Sequence, residues 1–232
     1  MKKYIIIVAL LSSGVVHAQN RNELWTKINI TKSINEHVRI GTDIQYRRQN
    51  GFEDHNMFRF SMTKSVRLWT FYRLHQSWTI ILSPIAYFSN RVVNGDTKET
   101  QGATEIRAMI GASQDVTLGK LVSKNRFLYE VSSIKANKPG RSIRQRYRLQ
   151  NSFIFPLIEM TDDAKVNYGI TNELLFRSMS GSAAFDQNRL YSGFQWKASQ
   201  MDINIGYQYT SQKEEGGYLN KDQLLLVINL NL

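Results

Sequence analysis

The chain has 232 residues, a formal net charge of +11, three prolines and no cysteine. The missing cysteine excludes a disulfide-stapled scaffold, thiolate metal sites, thiol catalysis and anchoring through an acylated cysteine. Mean hydropathy is −0.37, and no later apolar stretch reaches the roughly 18 residues of a membrane-crossing helix. A helical membrane protein is therefore excluded, while a membrane barrel, in which only every second residue faces lipid, stays allowed.

The chain opens on Met1-Lys2-Lys3, continues as an apolar run from Tyr4 to Val16, and reaches Val16-His17-Ala18. A basic start, a short apolar stretch and a small-x-Ala site predict a secretory signal peptide over 1–18, cleaved after Ala18. The expected mature domain is 19–232, and its charge, without Lys2 and Lys3, is +9. An exported chain does not meet the genome, so nucleic acid is not an expected partner. Acidic partners in the envelope are lipid head groups, lipopolysaccharide phosphates and small anions.

Period-two alternation then recurs, the pattern of half-buried strands. Eleven runs are read, near 24–33, 38–49, 56–67, 78–90, 102–113, 125–134, 142–154, 165–177, 188–197, 201–212 and 221–232. In the second, Val38, Ile40, Thr42, Ile44 and Tyr46 oppose Arg39, Gly41, Asp43, Gln45 and Arg47. In the seventh, Arg144, Arg146, Arg148 and Gln150 alternate with Ile143, Tyr147, Leu149 and Phe153. The fourth carries apolar residues on both faces and contains Pro84, which makes its register ambiguous. Many runs reach about 10 to 13 residues, the length of a tilted membrane crossing rather than of a soluble strand of about 5 or 6.

Connections alternate in kind. Segments 49–55, 94–98, 137–141, 178–187 and 213–220 are polar and mostly contain glycine, whereas 34–37 and 198–200 are short. Two links, near 114–124 and 155–164, are less tidy. Trp69, Trp78, Phe155 and Trp196 cluster near the turns, and Tyr46, Phe88, Phe176 and Tyr209 near the loops, as two interfacial girdles would require. The expected fold is an all-β, antiparallel, up-and-down transmembrane barrel. Single-chain bacterial barrels have even strand numbers, so ten or twelve strands are expected, with 24–33 an incomplete crossing or 56–77 a hidden pair. A soluble periplasmic ligand-binding barrel is the alternative architecture.

Glu23-Leu24-Trp25-Thr26, Ser33-Ile34-Asn35-Glu36-His37-Val38-Arg39-Ile40, Gln45-Tyr46-Arg47-Arg48 and Arg144-Gln145-Arg146-Tyr147-Arg148-Leu149-Gln150-Asn151 together resemble the bacterial outer-membrane family catalogued as domain of unknown function 2490. The likeness covers essentially the whole mature chain. It implies a β-barrel in the outer membrane, delivered to the barrel-insertion machinery, and it supplies no activity and no catalytic residues. Such barrels usually end on an aromatic residue, and this chain ends on Leu232.

Arg39, Arg47, Arg59, Arg107, Arg126, Arg144, Arg146, Arg148 and Arg177 fall on polar faces, with Asp43, Glu105, Glu130 and Glu173 as acidic partners. Charge at membrane depth must avoid lipid, so this basic ladder is expected to point into the lumen. It reads either as a salt-bridged filling or as a narrow anion-preferring conduit, and the expected role is structural, binding or conducting rather than catalytic. An outer-rim lipid or lipopolysaccharide hydrolase is the competing reading, with His55 beside Asp54 and Ser178, Ser180 and Ser182 in another loop as its weak constellation. Asp162-Asp163 and Glu214-Glu215 read as solvated turn charges, and no cofactor or metal is expected. Lys98, Lys135, Lys138, Arg141 and Lys213 lie in or beside the proposed outer loops, where lipopolysaccharide phosphates are a natural partner.

Overall fold

The computed structural model describes residues 20–51, 54–93, 100–136, 140–161, 164–179, 182–214 and 217–232; the expected leader lies outside them. Each alternating run becomes one strand: β1 (Asn20–Ser33), β2 (Val38–Gln49), β3 (Phe60–Arg73), β4 (Trp78–Val93), β5 (Thr100–Leu118), β6 (Leu121–Ala136), β7 (Ser142–Thr161), β8 (Ala164–Met179), β9 (Ser182–Lys197), β10 (Met201–Glu214) and β11 (Gly217–Asn231). They form one closed barrel in which every strand pairs with its sequence neighbours and β1 pairs with β11.

Among the described residues the strand number is eleven, and the expectation of an even count is overturned. Run 24–33 is a full strand, and 56–77 holds a single one. In an up-and-down ring of odd number the first and last strands run in the same direction, so the barrel closes with a parallel pair, from Asn20↔Asn220 to Thr31↔Asn231. That pairing satisfies the main-chain groups of two strands that would otherwise be open edges. Register-matched side chains stitch the seam. Gln223 donates to Glu23 at 2.7 Å, Asn29 to Asn229 at 2.5 Å, and Thr31 to Asn231 at 2.8 Å.

The untidy links are strands that run longer than their alternation shows. β5 and β6 stay paired to Leu118↔Leu121 and turn at Gly119, whose φ of +62° favours glycine. β7 extends to Thr161, carrying Pro156 past a register shift between Pro156 and Ile158. At the opposite extreme, the 34–37 turn is closed by Asn35, whose side-chain oxygen accepts from the main-chain N–H groups of His37 and Val38 at 2.9 and 2.8 Å.

Pro84 explains why its strand is apolar on both faces. The register of β4 shifts between Ser83 and Ala86 against β5, and a matching irregularity falls opposite β3, which spares the ladder a residue that cannot donate. The shift changes the phase. Ile81 and Ser83 are buried before it and Ala86 and Phe88 after it, while Leu82, Ile85 and Tyr87 stay exposed. Phe88 therefore packs inside the barrel with Ala86 and Met109, against Trp69. Trp69 and Phe88 both line the interior rather than joining the exposed girdles.

β6 leaves no room for a side chain on β5 at Gly111. A Cβ there would collide with the Phe127 carbonyl oxygen and stand 2.9 Å from the Leu128 Cα. Main chain cannot yield as a side chain can. Gly111→Ala is expected to destabilise the barrel by about 1–3 kcal/mol, read as a lower midpoint in denaturant titration of the refolded protein; an unchanged midpoint would show that the strands can separate there at no cost.

Candidate functional site: the charged interior

The wall is inverted relative to a soluble protein. Large apolar side chains on the outer face are exposed, such as Ile44, Ile110, Phe194 and Ile205, while Asp43, Glu105, Arg107, Glu130, Arg146 and Glu173 are buried on the inner one. The alternation of each strand fixes this, because one pleat face meets the interior and the next the outside. The interior encloses a cavity of about 790 Å³.

One side of that interior, carried by β5 to β9, is an ion-pair lattice. Glu130 on β6 lies 2.7 Å from Arg148, 2.9 Å from Arg146 and 3.4 Å from Arg107. Glu105 on β5 lies 2.8 Å from Arg107 and 3.1 Å from Arg144. Glu173 on β8 lies 2.6 Å from Arg148, 3.0 Å from Arg189 and 3.5 Å from Arg126. Asp186 on β9 holds Arg177 at 2.6 Å and reaches Arg146 at 3.8 Å. Each carboxylate is shared by two or three guanidinium groups, the arrangement that lets buried charge survive away from bulk water.

The opposite side is built differently. Here aromatic rings join the carboxylates in backing the cations. The Arg47 guanidinium sits 3.4 Å from the centre of the Trp25 ring, Arg189 approaches the same ring at 5.6 Å, and Arg39 covers Phe71 at 4.8 Å. Asp43 is fully used, accepting from Arg67 Nε and Trp69 Nε1, each at 2.7 Å. Glu23 accepts from Trp25 Nε1 at 2.6 Å as well as from Gln223. Among the described residues, thirteen Arg and Lys side chains line the cavity against five Asp and Glu. Counting Glu23, Glu130 and Asp186, buried in the wall behind, an excess of five cations remains.

Of the basic ladder read from the sequence, Arg39, Arg47, Arg107, Arg126, Arg144, Arg146 and Arg148 line this cavity, with Asp43, Glu105 and Glu173 beside them. Arg177 joins the lattice through Asp186. Arg59 does not: it precedes β3, is half exposed and pairs with Asp54. Its hydrogen bond holds the Asp54 carboxyl below the usual carboxylate range. The sequence reading missed Lys27, Arg67 and Arg189, each flanked by outward-facing residues on an alternating strand, and Asp186, hidden by a register shift between Leu175 and Phe176.

The residues of the hydrolase constellation are not brought together. His55 Nδ1 lies 3.3 Å from the Asn22 amide nitrogen on β1. Ser178 pairs with Ala183 between β8 and β9, on the far side of the ring from β2 and β3. Ser180 lies outside the described residues, as do Lys98, Lys138 and Asp162-Asp163. Among the described residues no three His, Asp or Glu side chains are grouped to hold a metal ion.

The fold and its interior define a closed β-barrel with an apolar outer wall and a cationic, ion-paired inside. The chain belongs to the family described as protein of unknown function DUF2490, whose model matches residues 22–221. Searches of curated proteins and of solved structures find no match.

Glu130 neutralises three guanidinium groups while only 1% exposed. Glu130→Gln keeps the volume and removes the charge, leaving Arg107, Arg146 and Arg148 facing one another. A loss on the order of 3–5 kcal/mol is expected, measured by denaturant titration of the refolded barrel. A shift below about 1 kcal/mol, the size of an exposed pair's contribution, would mean that water already screens the lattice.

Proposed function

We propose that this protein is an outer-membrane β-barrel of the bacterial envelope whose narrow interior binds and passes small anions in preference to cations. The observation that carries the reading is the inverted wall. Exposed Ile, Leu, Val, Phe, Tyr and Trp side chains occur on nearly every strand, whereas a soluble monomer usually confines exposed apolar surface to small patches. In a hydrocarbon layer the same surface is solvated.

Strand length and polar pairing agree with that setting. The strands run from 12 to 20 residues, enough for a tilted crossing of about 9 to 11. Polar side chains on the outer face bond to each other. Asn151 donates to Asn125 and Asn172 to Asn188, each at 2.7 Å, which lowers their cost against lipid. The anion preference follows from the excess of cations over carboxylates, with the lattice narrowing the bore from one side. Delivery by a cleaved leader and insertion by the envelope's barrel-assembly machinery complete the reading. Lys135, Arg141 and Lys213, close to the loop ends of their strands, would meet lipopolysaccharide phosphates.

The test has two parts. Expressed with its leader, the protein should reach the outer-membrane fraction and shift its gel mobility on boiling, as detergent-resistant barrels do. Reconstituted in a planar bilayer under a salt gradient, it should give a reversal potential of the anion-selective sign. A soluble, unshifted protein or a cation-selective pore would overturn the proposal.

A further inference from the structure

The geometry points to a seat for a phosphoryl group inside the barrel, between Lys27 on β1 and Arg126 on β6. This rests on the interior being cationic and deepens the proposed anion preference. It does not depend on the membrane. The seat stands out because Lys27 makes no ion pair with a described residue and Arg126 holds the longest of the Glu173 pairs, whereas most of the interior's basic groups are more closely neutralised or backed by aromatic rings.

Lys27 lines the cavity and makes no hydrogen bond or ion pair with a described residue. Its register mates are Gln45 and Val227, neither charged. Asp43 lies in electrostatic reach of Lys27, together with the cations Arg67, Arg126 and Arg148. Both Asp43 oxygens are taken, one by Arg67 and one by Trp69. Lys27 is thus a half-buried ammonium facing guanidinium groups, and its acidic neighbour is shared with Arg67 and Trp69.

Arg126 is its counterpart across the lumen. β1 and β6 stand on opposite sides of the eleven-strand ring. The register mates of Arg126 are Ser113 and Gln150, again uncharged. It donates to Gln150 and reaches Glu173 only at 3.5 Å, while that carboxylate makes shorter pairs with Arg148 and Arg189.

Two under-neutralised cations on opposite walls need an anion with acceptors pointing both ways. A carboxylate offers two oxygens lying in one plane. A tetrahedral phosphoryl group presents oxygens all round, so one can take the Lys27 ammonium while another takes the Arg126 fork. The cavity of about 790 Å³ has room for inorganic phosphate and for a small phosphorylated solute.

Calorimetric titration of the folded, detergent-solubilised barrel in low-chloride buffer tests this, with inorganic phosphate in one arm and a hexose phosphate in the other. Saturable binding is expected in at least one arm, and the tighter arm names the source of the phosphoryl group. Lys27→Gln and Arg126→Gln should each weaken it about tenfold or more, the loss of one charge-assisted hydrogen bond. Lys27→Arg should restore most of it, and Lys120→Gln, in the exposed turn between β5 and β6, should leave it unchanged. Boiling-dependent gel mobility confirms that each variant is folded. Absent saturation in both arms, or equal binding by wild type and Lys27→Gln, overturns the seat. Phosphate binding by a barrel that stays out of lipid vesicles would overturn the membrane reading and leave the seat standing.

Discussion

Glu105, Glu130 and Glu173 are outnumbered by the arginines that share them, and that imbalance governs the rest of the molecule. A guanidinium group inside a closed barrel has no bulk water to return to, so each must find a carboxylate, an amide or a ring. Five adjacent strands, β5 to β9, solve this with carboxylates placed within 4 Å of two or three cations each. The other side solves it with Asp43 for Arg67 and with the rings of Trp25 and Phe71 for Arg47 and Arg39. Because the two solutions differ, the interior is asymmetric. One wall is cross-linked by shared carboxylates, while the other leans on aromatic rings.

The architecture was largely legible in the residues because alternation is a direct image of the pleat. All eleven runs, read from period alone, became strands, and the second and seventh kept their faces. Counting failed through a general expectation rather than through the pattern. Eleven was the number read, and the evenness rule displaced it, because nothing in a list of runs shows that Glu23, Asn29 and Thr31 have register mates in Gln223, Asn229 and Asn231. Parallel closure is a pairing between distant segments and leaves no local trace.

The interior was partly legible for the same reason. Arg144, Arg146 and Arg148 announce one face by their spacing. Two things hid the remainder. Register shifts at Pro84 and beside Leu175 change the phase, so Phe88 turns inward and Asp186 reaches a lattice that period counting could not assign to it. Lys27 was obscure for a chemical reason. A lone lysine among Trp25, Ile28 and Asn29 looks ordinary until the carboxylate nearest it proves to be occupied.

The parallel seam has a consequence for how the barrel is put together. Eleven strands make five hairpins and one strand left over. Each hairpin returns the chain to its starting rim, whereas the unpaired strand carries it across once. Asn20 and Asn220 stand at the same rim, and Thr31 and Asn231 at the other. The chain therefore enters β1 on one side of the wall and leaves β11 on the other. Turning the barrel over exchanges the two rims but cannot bring entry and exit to one, so the first strand begins and the last strand ends at opposite mouths of the barrel.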